Sequence, residues 1–261
     1  MSARDAVSGA IRTAAARGEP ALVGFLTAGY PSREKFREHL QAVAAGADVV
    51  EIGVPFTDPM ADGVTIQRSS HAAIAQGVSL RWILKELEAM PRPKAPLLLM
   101  SYLNPLLAFG FRKLADVAAR AGVSGFIVPD LPLDESADLR AALDVHQMAL
   151  VQMVTPVSKP DRMQQLCAGS QGFVYAVTMT GTTGKNVAVQ AEVVKYLDRV
   201  RELAAVPVCA GFGIRSRDQV ELLRGHVDGV VIGSALVEVL ERGEDATEWL
   251  RKLRGAGAAA G

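Results

Sequence analysis

The chain of 261 residues has only two cysteines, Cys167 and Cys209. Two cannot build a disulfide framework or a cysteine-based zinc site, which fits a reducing cytoplasm. An excess of either charge is also missing: Lys+Arg and Asp+Glu are both 28. A nucleic-acid binder usually carries a basic surplus, so this balance argues against that role. A small anionic substrate, which needs only a few local donors, stays open. No apolar run is long enough to span a bilayer. The opening "MSARDAVSGAIRTAAARG" lacks the apolar centre of a secretory signal. Val7, Ala10, Ile11 and Ala14 instead fall at helical spacing and predict an extra N-terminal helix. The closing "RGAGAAAG" reads as a flexible tail over roughly residues 255–261.

Several catalytic signatures are absent. There is no GxSxG elbow, and no GxGxxG follows the first strand candidate. The four histidines, His39, His71, His146 and His226, are scattered, and no His/Asp/Glu set has metal-ligand spacing. No lysine lies within a strand candidate, which argues against a Schiff-base lysine of the usual barrel type. Lys185 alone lies near the presumed mouth.

What is present is an alternation. Short β-branched runs occur at 21–29, 48–54, 96–102, 124–130, 148–154, 172–178, 207–213 and 228–234. Helix-like pieces lie between them, such as 34–45, 111–121, 135–143, 189–203 and 218–224. Eight strands, each followed by helical material, imply a parallel sheet with short crossovers. With no linker dividing the chain, a single (β/α)8 barrel over residues 1–261 fits better than a doubly wound sheet. In such barrels chemistry sits at the C-terminal ends of the strands.

At one such end stands "DVVEIGVPFTDPMADG", residues 48–63. Side chains alternate along a strand. Val50, Ile52 and Val54 share one face, which should meet the helices. Glu51 then points into the barrel with Val49 and Gly53. A buried, unpaired carboxylate has a raised pKa and suits a proton shuttle. A structural ion pair is the alternative. The following loop holds Asp58 and Asp62, either of which could instead cap a turn. The ends of the last two strands, "AGFGIRS" and "IGSA", bring glycines and a helix start near Ser234 together. Backbone N–H groups there suit a phosphate, although the glycines could serve tight turns alone. "MTGTTGKN", residues 179–186, reads as a mobile loop that could cover the site.

The segment "EIGVPFTDPMADGVTIQRSS" closely resembles the signature of tryptophan synthase α subunits. The resemblance continues through "FLTAGYP", "MSYLNPLLAFG", "VPDLP", "GFVYAVTMTGTTG", "AGFGI" and "IGSALV", in the family's order and over nearly the whole chain. It implies a carbon–carbon lyase that cleaves indole-3-glycerol phosphate to indole and glyceraldehyde 3-phosphate. It further implies Glu51 and Asp62 as the catalytic pair. Phe25, Met100, Tyr102 and Ile127 would line the indole pocket, with Tyr175 close to the glutamate. Thr183 and Gly184 match the closing loop. Gly184, Gly213, Gly233 and Ser234 match phosphate contacts, and Thr57, Asp58 and Pro59 match the loop that meets a β subunit. An α2β2 assembly is implied, with no cofactor here; pyridoxal phosphate would belong to the β subunit. The rivals are another phosphate-binding barrel, such as an indole-glycerol-phosphate synthase or sugar-phosphate isomerase, an idle regulatory subunit, and a standalone indole-releasing lyase.

Overall fold

The computed structural model describes residues 1–178, 191–211 and 213–255. Eight parallel strands close into a barrel in sequence order: β1 (Ala21–Thr27), β2 (Val49–Gly53), β3 (Leu97–Met100), β4 (Val123–Ile127), β5 (Ala149–Val154), β6 (Val174–Val177), β7 (Val208–Gly211) and β8 (Gly229–Ile232). β8 pairs back onto β1, with Val231 opposite Val23. Each strand falls inside or within a residue of its expected run. The first expected run extends to Gly29, but β1 ends at Thr27, and Gly29 has φ +72°.

Helices follow the strands: α1 (Ala3–Ala15) precedes β1, and α2 (Phe36–Gly46) follows it. α3 (Val64–Ala75) and α4 (Leu80–Glu88) follow β2, and α5 (Leu103–Phe109) and α6 (Phe111–Arg120) follow β3. Then come α7 (Ala137–Asp144), α8 (Pro160–Gly169), α9 (Ala191–Leu203), α10 (Arg217–Leu223), α11 (Ser234–Glu241) and α12 (Ala246–Arg254). Among the described residues no helix is long and apolar enough to cross a membrane.

Alternation along the strands produces two apolar layers. Val50, Ile52 and Val54 join the outer layer between sheet and helices. Val23, Val49, Leu98, Ile127, Val151, Tyr175, Cys209 and Val231 fill the barrel itself. That layer continues into Val7, Ile11 and Ala14 of α1. The N-terminal helix therefore plugs the N-terminal end of the barrel. Ser2 caps it by accepting from Asp5 N, and Ser8 Oγ donates to Gly172 O at 2.6 Å. With one end plugged, a ligand can enter only from the other. Residues 256–261 of the expected tail lie outside the described residues.

Candidate active site

β2 delivers Glu51 into the barrel, opposite Phe25 of β1. Its side chain is only 2 % exposed, and Oε2 has no hydrogen-bond partner. Among the described residues no cation pairs with it, so the structural ion pair does not form there. Burial, and secondarily the charge of Asp62, pushes the carboxyl up to about 8. Glu51 is therefore predominantly protonated at neutral pH.

Asp62 closes the loop at residues 55–63. Its backbone N–H donates to Pro59 O at 3.1 Å, which folds the loop into a turn. Tyr102 then fixes both the backbone and the side chain. The Tyr102 hydroxyl accepts from Ala61 N at 2.9 Å and donates to Asp62 Oδ2 at 3.0 Å. Burial pushes Asp62 up to about 6, against the lowering effect of the Tyr102 hydrogen bond. Tyr102 itself is pushed up, by burial first and then by Asp62. Its ring stacks on Phe56 at 5.0 Å.

A narrow cleft opens beside this pair. Phe25, Met100, Tyr102 and Asp62 line it, with Thr27, Gly53, Val54, Ile66 and Ser70. Its walls are mostly apolar, and Asp62 is its carboxylate. A Cβ on Gly53 would lie 2.5 Å from the Phe25 ring, so only glycine leaves that ring its place beside β2. On the far side, a Cβ on Gly211 would strike the Tyr175 hydroxyl at 2.5 Å. Ile127 and Tyr175 do not reach the cleft wall; they belong to the barrel's inner layer. Tyr175 is nonetheless an electrostatic neighbour of Glu51 and Asp62, and with burial they push its hydroxyl up.

The expected anion loops lie on neighbouring strands, where Gly211 pairs with Val231. Gly213 is exposed with φ +77°, a conformation that favours glycine. Gly233 caps α11, and a Cβ there would meet nothing within 4 Å, which leaves open space at the helix start. Leu236 and Val237 bond back to Gly233 O, while the first-turn N–H groups at Ser234 and Ala235 are free of intrahelical partners by position. Thr183 and Gly184 lie outside the described residues.

Thr57 and Asp58 are exposed, whereas Pro59 is buried. Sequence reading missed Met60 and Val64 beside them, which are 87 % and 79 % exposed. It also missed how α3 grips the loop. Ser70 Oγ accepts from Phe56 N at 2.7 Å, His71 Nε2 meets Thr57 O at 3.0 Å, and Gln67 Nε2 donates to Asp62 O at 2.8 Å. The only signal was their place just after the loop. Which backbone atoms they meet depends on how the loop folds back.

Fold and site together define a (β/α)8-barrel enzyme with paired carboxylates, an apolar cleft and glycine-rich loops suited to an anion. The family model for the tryptophan synthase alpha chain matches residues 11–256. The tryptophan synthase alpha chain of Nitratidesulfovibrio vulgaris is 46% identical over 243 residues, covering 92% of this chain and 95% of that one. That of Solidesulfovibrio magneticus is 43% identical over 247 residues, covering 94% and 96%. A crystal structure of tryptophan synthase from M. tuberculosis, in an aminoacrylate-bound form, superposes with a TM-score of 0.86 at 33% identity, covering 97% of this chain and 99% of that one. The chain belongs to the tryptophan synthase alpha chain family.

Proposed function

We propose that this protein cleaves indole-3-glycerol phosphate to indole and glyceraldehyde 3-phosphate, with Glu51 as the proton shuttle. The observation that carries the reading is a buried Glu51, unpaired among the described residues and protonated near neutrality, beside an Asp62 that a tyrosine holds in place. A retro-aldol cleavage needs an electron sink, and the indole ring can supply it. The Glu51 acid gives its proton to ring C3, forming an indoleninium. Carboxylate Glu51 then takes the proton of the side-chain hydroxyl. The C–O bond becomes a carbonyl as the C–C electrons collapse into the ring, and the acid is regenerated. Asp62, as the carboxylate, accepts a hydrogen bond from the ring N–H and stabilises the positive charge developing there. The ring lies against Phe25, Met100 and Tyr102 and passes between them to reach Glu51, with Ile127 and Tyr175 beneath. Gly213, Gly233 and Ser234 hold the phosphate, so its binding energy orients the reacting bond.

The loop carrying Asp62 also offers a partner surface. Thr57, Asp58 and Pro59 lie beside the exposed Met60 and Val64, and Leu107 and Val157, also exposed, follow other strand ends. Apolar side chains exposed at the mouth favour a docking partner over a standalone lyase. The partner in this reading is a tryptophan synthase β subunit, in an α2β2 assembly.

The test is indole release from indole-3-glycerol phosphate and from its dephosphorylated analogue, with and without a cognate β subunit. Release from the phosphate ester, with a KM far below that of the analogue, is expected. No release under either condition, or equal KM for both substrates, would overturn the reading.

A further inference from the structure

A strap of polar side chains joins the anion loops to the loop that carries Asp62. α3 grips that loop through Ser70, His71 and Gln67. On another of its faces, Thr65 and Arg68 meet α11. Thr65 Oγ1 donates to Glu238 Oε1 at 3.2 Å, and Arg68 pairs with Glu241. The spacing is i, i+3 on both helices, which places each pair on one helical face. Tyr30, following β1, lies beside the Arg68–Glu241 pair.

Glu238 has a second partner. Arg215 Nη1 and Nη2 donate to its Oε2 and Oε1 at 2.7 and 2.9 Å. Arg215 lies just past Gly213. Glu238 stands on α11, whose first turn follows Gly233. One carboxylate thus touches the loop after β7, rides on the helix after β8, and reaches the helix that positions Asp62. Ordinary surface ion pairs fix little. A two-pronged guanidinium–carboxylate fork fixes both distance and angle.

We propose that Glu238 is a positioning residue that couples phosphate binding to the placement of Asp62. The inference deepens the function proposed above and rests on its phosphate site. An anion held between Gly213 and the first turn of α11 draws the two loops to one separation. The Arg215–Glu238 fork spans the same two elements and favours the same separation. Thr65 shares Oε1 of Glu238 with Arg215 Nη2 and stands at the start of α3. Gln67, two residues on, holds the carbonyl of Asp62. Occupancy and loop order therefore favour each other, as linkage requires.

The experiment is amide hydrogen exchange on the full chain, with and without glycerol 3-phosphate, which carries the phosphate and lacks the ring. In the unmodified protein the probe should slow exchange over residues 233–237 and over residues 56–67. In Thr65→Ala the first protection should remain and the second should fall severalfold. Thr65→Ser, which keeps the hydroxyl, should restore it. The Thr65→Ala variant should also lose kcat on the phosphate ester while its melting temperature stays close to that of the parent. Equal protection of residues 56–67 in the parent and Thr65→Ala, or its absence in the parent when residues 233–237 are protected, would overturn the coupling alone. Absence of protection at residues 233–237 would instead overturn the phosphate site beneath it.

Discussion

Asp48 and Glu51 flank Val49 and Val50 on the same stretch of chain, yet they serve opposite ends of the barrel. Asp48 lies at the plugged end. Its Oδ2 accepts from Leu22 N and from Arg254 Nη2, each at 2.8 Å. Asp228 repeats the device before β8, accepting from Val208 N at 2.8 Å, with Arg201 beside it. Glu51, at the open end, is buried, and among the described residues its Oε2 has no partner. Residue type alone therefore does not decide the role. A carboxylate whose lone pairs are filled fastens strands together. A carboxylate denied both partner and water holds its proton until a substrate takes it.

The largest effect that tests this contrast is at Glu51. Glu51→Gln should lower indole release by about 10²–10⁴-fold, the usual scale for a positioned acid–base group. It should leave KM nearly unchanged. The same change should raise stability at higher pH. In the fold Glu51 titrates at about 8 against an ordinary 4.5. Its raised value means that its contribution is intact below about 4.5 and is lost progressively as pH rises to about 8. An amide does not titrate there, so the melting-temperature gap in favour of Glu51→Gln should widen over that window and then level off. Near-parent turnover would remove Glu51 from the mechanism. A gap that narrows with pH would show that the carboxyl is paired after all.

Much of this contrast is legible in the sequence. The eight strands announce themselves as β-branched runs, and alternation alone turns Glu51 inward. The N-terminal helix shows in the spacing of Val7, Ile11 and Ala14. Local pattern carries these because it is local physics. What was not legible depends on distant pairing. Nothing near Glu51 in sequence says that no cation among the described residues meets it. Tyr102 read as a pocket wall, and its bond to Asp62 joins two separate βα loops. α3, "VTIQRSSHAAIA", escaped because it buries Ser69, Ser70 and Ala73 rather than a stripe of large apolar residues. Ser69 shares a hydrogen bond with Thr27 at 2.6 Å, a contact that needs β1 and α3 already in place. Gly213 and Gly233 were legible as positions. The positive φ at Gly213 and the open space at Gly233 were not.

A smaller effect should appear at the plugged end. Asp228→Ala leaves Val208 N without its acceptor and Arg201 with only the Gly225 carbonyl. The cost should be about 1–3 kcal/mol, the range for a buried backbone donor left unsatisfied. Urea melts would read it. Turnover of the folded fraction should match the parent, because no group at the open end has moved. A loss of turnover at unchanged stability would break the division between the two ends.

The smallest effect, and the sharpest test of the open end, is at Tyr102. Asp62 works as a carboxylate, so activity should fall as pH drops through its value of about 6. Glu51 works first as an acid, so activity should also fall as pH rises through about 8. The profile of kcat/KM should be a bell between those limits. Tyr102 donates to Asp62 and favours its charged form, opposing the effect of burial. In Tyr102→Phe that donor is gone, so the acid limb should move to higher pH. The alkaline limb should stay, because burial is the main cause of the Glu51 shift and Asp62 the lesser one. Ala61 N also loses its acceptor, which loosens the loop. At the optimum the variant should therefore retain activity reduced severalfold, about 1 kcal/mol for a hydrogen bond of this kind. An acid limb that stays in place or moves to lower pH would show that Tyr102 is only a wall of the cleft. Movement of both limbs together would show that the two carboxylates titrate as one coupled pair rather than as a separate acid and base.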